Sequence, residues 1–257
     1  MLEVNNITKK FNVGTVDEVT LFDNFNIRFN DGEFVSIVGS NGSGKTTLLN
    51  LICGNENVQG GDIIFEGKKI TSFPVHKRAP FIGRVFQDPQ KSTCSHLTII
   101  ENMALADNKG KAFDLGRAVN KKNLDRYRSL LESCEMGLEN RMNVPVGNLS
   151  GGQRQALALL LATMTDIKLL ILDEHTAALD PKTAETVMVL TNKLVRQSGI
   201  TALMVTHNLR YAVEYGDRLV MFDKGNTVLD INGKEKEDTG VQDLLTLFNT
   251  ISIECGN

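Results

Sequence analysis

The chain has few cysteines, and none of them cluster. Cys53, Cys94, Cys134 and Cys255 stand singly, with no Cys-x-x-Cys pair and no Cys/His group, which argues against a zinc site or a disulfide framework and fits a reducing compartment. An uninterrupted apolar run of the roughly 18 residues that a membrane-spanning helix needs is also missing. The richest stretch, 156–164, is about half that length and reads as a buried helix. Met1-Leu2-Glu3-Val4-Asn5-Asn6-Ile7 has neither a basic stretch leading into an apolar one nor a small-residue cleavage site, so a secretory signal is not expected. No charge of one sign dominates: 28 Lys+Arg face 31 Asp+Glu for a formal −3, leaving no general basic field for nucleic acid. Anion binding must therefore be local. With no internal repeat or low-complexity linker, 257 residues suit one substantial α/β core, alone or with a smaller lobe.

Short aliphatic or β-branched runs at 34–38, 83–86, 169–172, 202–206 and 218–222 are apolar on both faces, as buried strands of a mainly parallel sheet are. Runs at 3–8, 21–29, 62–65 and 226–231 alternate, with turn chemistry at Asp31-Gly32 and Lys224-Gly225-Asn226, and predict an antiparallel subsheet. From Asp88 to about Thr165 the spacing becomes helical. Leu124, Tyr127, Leu130, Leu131 and Cys134 share one face, and the polar 107–111 reads as a loop. After Gly233, residues 234–238 read as a solvated turn before a last amphipathic helix at 241–248.

The first chemical motif follows the strand ending at Val38. In Gly39-Ser40-Asn41-Gly42-Ser43-Gly44-Lys45-Thr46-Thr47 the glycines permit a tight backbone whose N–H groups can ring a polyphosphate at a helix start. Lys45 can reach the β- and γ-phosphates, and the Thr46 hydroxyl can ligate Mg²⁺. A second motif ends the run Leu169-Leu170-Ile171-Leu172, which delivers Asp173 and Glu174 to the carboxyl end of a strand, where such sheets bind ligands. Asp173 suits Mg²⁺ through its water shell, and Glu174 suits polarisation of an attacking water. The third is Leu149-Ser150-Gly151-Gly152-Gln153-Arg154-Gln155, a second helix start with two glycines. Ser150 also fits an N-cap with Gln153 completing a capping box.

The three motifs, in their order along the chain (39–47, 149–155, 169–174) and with a later His207, resemble the nucleotide-binding cassette of ABC ATPases over nearly the whole chain. The resemblance implies an α/β P-loop NTPase fold, with a mainly parallel sheet core and antiparallel β subdomain (1–87 and 166–257) and an inserted α-helical subdomain (88–165). It implies ATP and Mg²⁺ as ligands, with Ser40, Asn41, Gly42, Ser43, Gly44, Lys45, Thr46 and Thr47 around the phosphates. Catalytic roles fall on Glu174, His207, Lys45 and Gln87, and Mg²⁺ falls to Thr46, Gln87 and Asp173. Gln87, in Val85-Phe86-Gln87-Asp88-Pro89, matches the Q-loop; His207, in Val205-Thr206-His207-Asn208, matches the switch histidine at the γ-phosphate. Phe11 lies where the family places an aromatic on adenine, a core phenylalanine being the rival reading. In a head-to-tail dimer Ser150, Gly151, Gly152, Gln153 and Asp180 contact ATP in trans, although Asp180-Pro181 also reads as an N-cap and first-turn proline.

One residue departs from the family pattern. Proline commonly follows the two carboxylates, and here His175 stands, restoring an N–H and adding a group that can titrate near neutrality. Asp-Glu-His-Thr is similar to a bacterial importer subfamily associated with amino acids or similar small solutes. The resemblance thus implies the ATP-hydrolysing subunit of a transporter: a homodimer, or a pair with a similar cassette, peripheral on the cytoplasmic face of the membrane. It would drive solute import through a separate permease, with an extracytoplasmic solute-binding protein in the full system and no nucleic acid. The segment from Lys91 to His96 and towards Leu97 is the expected docking groove. The alternatives are an export or lipid-transport ATPase, and a soluble ABC ATPase acting on ribosomes or DNA, which usually carries two cassettes or a long coiled coil.

Overall fold

Two hydrophobic periodicities alternate along the chain, and each produces its own element. In the computed structural model, which describes residues 1–110 and 118–254 with side chains through residue 250, the order is β1 (Leu2–Phe11), β2 (Val19–Phe29), β3 (Phe34–Gly39), α1 (Lys45–Cys53), β4 (Gly60–Phe65), β5 (Lys68–Lys69), α2 (Val75–Arg78), β6 (Ile82–Val85), α3 (Ile99–Asp107), α4 (Leu124–Glu132), α5 (Gly151–Thr163), β7 (Leu169–Asp173), α6 (Pro181–Ser198), β8 (Thr201–Val205), α7 (Leu209–Glu214), β9 (Arg218–Asp223), β10 (Asn226–Asn232), α8 (Gly233–Asp238) and α9 (Val241–Glu254). They form two compact units, Met1–Arg78 with Ile200–Asn257, and Ala79–Gly199. The sequence boundaries at 87/88 and 165/166 follow the change of periodicity. The compact units divide instead where packing changes, so that β6, β7 and α6 group with the helices of the second unit.

The first unit holds two layers of strands. β2, β1, β4 and β5 form an antiparallel sheet in that order. In β1 the buried side chains are Leu2 and Val4, then Ile7 and Lys9. The change of parity coincides with a break in register between Val4 and Ile7 and with a left-handed Asn6, the extra residue of a β-bulge that keeps the apolar face inward. In the other layer β3 runs parallel to β8 and β9. All six residues of β3 and all five of β8 are buried, as the continuous apolar runs require. β10 is antiparallel to β9 through the turn at Lys224-Gly225, so 226–231 joins this layer and not the antiparallel subsheet expected of it. The short turn decides that, because it hands the chain straight back to its predecessor. Arg218 on β9 grips Asp230 on β10 with two bonds of 2.6 Å, which pins the hairpin.

Two further expectations in this unit change. Residues 234–238 are not a solvated turn but lie in α8, where Lys236 is buried and donates to the Val213 carbonyl at 2.6 Å. The last helix, α9, runs to Glu254, beyond the expected end. Its Leu244 is buried with Val38, Ala212, Leu219, Met221 and Ile231.

The second unit pairs β6 with β7 in parallel, Ile82 opposite Leu169 and Val85 opposite Leu172, and packs helices around them. α5 is apolar nearly all round, with 156–161 buried, as the composition of that stretch predicts. On α4 the expected face is present: Tyr127 and Leu131 are buried, and so is Cys134 just beyond its end. Asp107 is no loop residue. It ends α3, is buried, and accepts hydrogen bonds of 2.9 Å from Asn123, Arg126 and Tyr127. Three donors compensate its buried charge. Residues 108–110 form a turn, as expected of the loop, and Lys111 lies outside the described residues.

Candidate functional site

In the first unit β3 delivers the chain into residues 40–44, and α1 starts at Lys45 with no acidic side chain in its first turn. The N–H groups of that first turn have no intrahelical acceptor, so the helix start presents donors and the positive end of its dipole. Gly44 is the N-cap at φ +106°, and a Cβ there would lie 2.8 Å from the ring of Phe22. Only glycine serves at that turn. Lys45 is buried, its ammonium donating to the carbonyls of Gly39 and Ser40 at 2.8 Å each and reaching Ser43 Oγ at 3.4 Å. Ser40 Oγ donates to Asp223 at 3.0 Å. Thr46 is exposed. A cation and a helix start wrapped in one loop suit a polyphosphate.

The same unit brings His207 to this loop. It follows β8, is exposed, and lines a cavity of about 340 Å³ with Gly39, Ser40 and Asn41. Its neighbour Asn208 caps α7 through Tyr211 N–H. Phe11, at the end of β1, is half-buried, and the Lys9 ammonium stands 4.8 Å from its ring centroid. The ring therefore has one face already occupied by a cation.

In the second unit β7 presents Asp173 at its carboxyl end. Arg84 of β6 donates to Asp173 Oδ2 at 2.7 Å. Glu174 follows in the left-handed region at φ +50°, a conformation that costs a non-glycine residue about 1 kcal/mol, in a turn closed by the Ala177 N–H on its carbonyl at 3.0 Å. His175 is wholly buried, and burial pushes its imidazole down to about 4. This corrects the sequence expectation of a group titrating near neutrality: the ring has been removed from water, which disfavours its cation. Its Nε2 lies 3.1 Å from Thr191 Oγ1, whose single proton is donated to the Val187 carbonyl at 2.7 Å. Nε2 must therefore carry the hydrogen. The stiffening that proline would give this loop by covalent means comes here from a buried hydrogen bond to α6.

The start of α5 forms the complete capping box: Ser150 Oγ accepts from Gln153 N–H and Gln153 Oε1 accepts from Ser150 N–H, each at 3.2 Å. Gln153 also accepts from Arg141 at 3.0 Å and donates to the Met136 carbonyl at 3.1 Å, so its amide is engaged within its own unit. The two glycines differ. Gly151 is exposed, whereas a Cβ on Gly152 would lie 2.1 Å from Thr183 Cγ2, which makes Gly152 a close-packing residue against α6. Asp180 caps α6 by accepting from Thr183 N–H at 3.1 Å, with Pro181 in the first turn. That hydrogen bonding holds its carboxyl below the usual range.

Gln87 is exposed just past β6. The backbone before it is fastened to α5, because the buried Gln155 donates to the Phe86 carbonyl at 3.1 Å. In the segment at 91–97, Lys91, Cys94 and His96 are exposed. Buried Asn102 organises it, accepting from Cys94 N–H and donating to the carbonyls of Cys94, Leu97 and Thr98. Arg84, Thr191 and Asn102 lie outside the motifs, and Gln155 ends the third motif without a role assigned to it there. Of these, only Arg84 had a visible signal, a charge inside an apolar strand that demands a partner.

The donors fit the ligands that the motifs imply. The oxygen atoms of Thr46 and Asp173 are those a hard divalent cation such as Mg²⁺ selects, and the start of α1 offers N–H groups and a lysine, not carboxylates. No helix among the described residues is long and apolar enough to cross a membrane. A family model described as ABC transporter matches residues 22–177. The tyrosine transport ATP-binding protein of Clostridioides difficile (strain R20291) is 46% identical over 96% of this chain and 98% of its own. The xylose/arabinose import ATP-binding protein XylG of Sulfolobus acidocaldarius is 32% identical over 98% and 95%. Among solved structures, the dimeric post-hydrolysis state of the ATP-binding cassette MJ0796 bound to ADP and Pi superposes with a TM-score of 0.76, at 30% identity over 90% of this chain and 98% of that one. A phosphate loop, a strand ending in two carboxylates and a serine-capped diglycine helix, matched at this extent, make the chain an ATPase of the ABC transporter family, with that family's P-loop NTPase fold.

Proposed function

We propose that the chain is the ATP-hydrolysing subunit of a solute importer, closing as a dimer around two ATP molecules and driving a separate permease from the cytoplasmic face of the membrane. The observation that carries this reading is the start of α1, where Lys45 and an acid-free first turn share one loop with a cavity reached by His207. Import is supported by the names of the relatives, and amino acids or similar small solutes by the tyrosine transport protein at 46% identity. A solute-binding protein completes the system.

In this reading residues 40–47 bind the phosphates through backbone N–H groups, Lys45 and the Thr46 hydroxyl. When bound, Mg²⁺ supplies charge neutralisation at the β- and γ-phosphates, with Thr46, Asp173 and Gln87 as the residues that would hold it. Glu174 takes the proton of the attacking water while its oxygen bonds to the γ-phosphorus and the bond to the β–γ bridging oxygen breaks. His207 orients the γ-phosphate, and Phe11 stacks on adenine with the ring face that Lys9 leaves open. Ser150 and Gly151 of a second copy donate across the dimer, and Asp180 relays between the two sites. The structural engagement of Gln153 and Gly152 gives them a holding role in this contact. The segment at 91–97 docks on the permease.

Glu174→Gln tests the assignment. The variant should bind ATP as the native chain does, lose turnover by about a hundredfold or more, and accumulate as an ATP-dependent dimer on size exclusion. Native turnover would place the base elsewhere, and an ATP-saturated monomer would remove the dimer from the reading.

A further inference from the structure

Arg84 occupies a place that none of the motifs explains. Its position on β6 is opposite Ile171, so its side chain reaches diagonally along the same sheet face to Asp173, two residues further up β7. The resulting ion pair, 2.7 Å long, is largely withdrawn from water, with the two side chains 11% and 14% exposed. The guanidinium carbon sits 4.4 Å from the Phe86 ring centroid, which holds it against the strand end by cation–π attraction. Arginine keeps its charge at every relevant pH, so Asp173 faces a permanent cation.

A carboxylate in that state is a poorer ligand for a divalent cation, because the arginine charge repels the ion and occupies one of the carboxylate's oxygens. We propose that Arg84 is an internal counter-ion of Asp173 that lowers the intrinsic affinity of the site for Mg²⁺, so that the ion is held chiefly together with nucleotide phosphates. Arg84 is a positioning residue: it acts on the metal through Asp173 and touches no reacting atom. The inference rests on the reading of Asp173 as the Mg²⁺-holding carboxylate.

The test measures ATP dissociation constants of the full chain by calorimetry, in the Glu174→Gln background, with excess Mg²⁺ and with EDTA. The quantity read is the ratio of the EDTA value to the Mg²⁺ value. Arg84→Met and Arg84→Gln should each raise that ratio by at least about tenfold, the effect of one unit charge about 6 Å from a dication even at the screening of bulk water. Arg84→Lys, which keeps the charge, should leave it native. Arg84→Gln retains hydrogen-bond donors for Asp173 and so guards against loss of folding in the methionine variant. An unchanged or lower ratio in both neutral variants overturns the proposal, as does a lysine variant that behaves like the neutral ones. Asp173→Asn separates the two readings. If it lowers the ratio while the Arg84 variants do nothing, the counter-ion role fails and the ligand role stands; if it leaves the ratio native, the ligand assignment itself fails and takes the counter-ion role with it.

Discussion

The phosphate loop and the carboxyl end of β7 are built on opposite principles. In the proposed reading the backbone of the loop is the binding surface, and its determinants are contiguous: Gly44 at φ +106°, Lys45 folded onto the carbonyls of Gly39 and Ser40, and a helix start free of acids. At the end of β7 the side chains matter, and their partners lie far away in sequence. Asp173 is held by Arg84, 89 positions earlier, and His175 by Thr191, 16 positions later. A local device tolerates change elsewhere in the chain but no change within itself. A distributed device is vulnerable at residues that no motif marks.

The largest effect should come from breaking the local device. Lys45→Ala removes the cation proposed to serve the phosphates, and ATP affinity should fall about a hundredfold, the scale of losing charge-assisted hydrogen bonds; calorimetry that returned a native constant would dissolve the contrast. Gly152→Ala probes the diglycine helix start as packing. The new Cβ meets Thr183 Cγ2 at 2.1 Å, and overpacking of this kind costs about 1–3 kcal/mol, measured by urea unfolding. Thr183→Ser deletes that methyl and should restore most of the loss in the double variant, an outcome that a purely ligand-binding glycine would not give.

Thr191→Val sharpens the distributed side of the comparison. It removes the hydroxyl that accepts from buried His175 while keeping the shape, and leaving that N–H unsatisfied should cost about 1–3 kcal/mol. Equal stability in denaturant would mean the loop after Glu174 is held by other contacts. The smallest effect is chemical and not energetic. Cys94 is exposed, whereas Cys134 is buried with its thiol pushed up to about 11 by desolvation. At neutral pH a maleimide should label Cys94 well ahead of Cys134, read by mass spectrometry of the separate peptides; comparable rates would show that the second unit opens around α4.

Much of the architecture is legible in the sequence, for a reason visible in particular elements. The runs at 34–38 and 202–206 are apolar without interruption because β3 and β8 are covered on both faces, and their length and β-branched content leave little choice of element. Ser150 and Gln153 announce their capping box by spacing alone. The placement of 226–231 was not legible, since an alternating strand pairs wherever its turn delivers it, and the turn at Lys224-Gly225 returns it to β9. The polar appearance of Asp107 and Lys236 likewise concealed burial, because a charge is exposed or buried according to whether distant donors and acceptors meet it.

Motif order, residue type and short-range spacing determined the family and the chemistry of the phosphate loop, because a backbone cradle depends on glycine, lysine and a helix start that are neighbours in the chain. Tertiary structure alone decided the rest: that His175 is neutral and latched, that Gly152 packs closely against Thr183, and that Asp173 is paired with an arginine. Those properties arise from low dielectric and close contact between segments far apart in sequence, and neither burial nor contact can be read from one segment by itself.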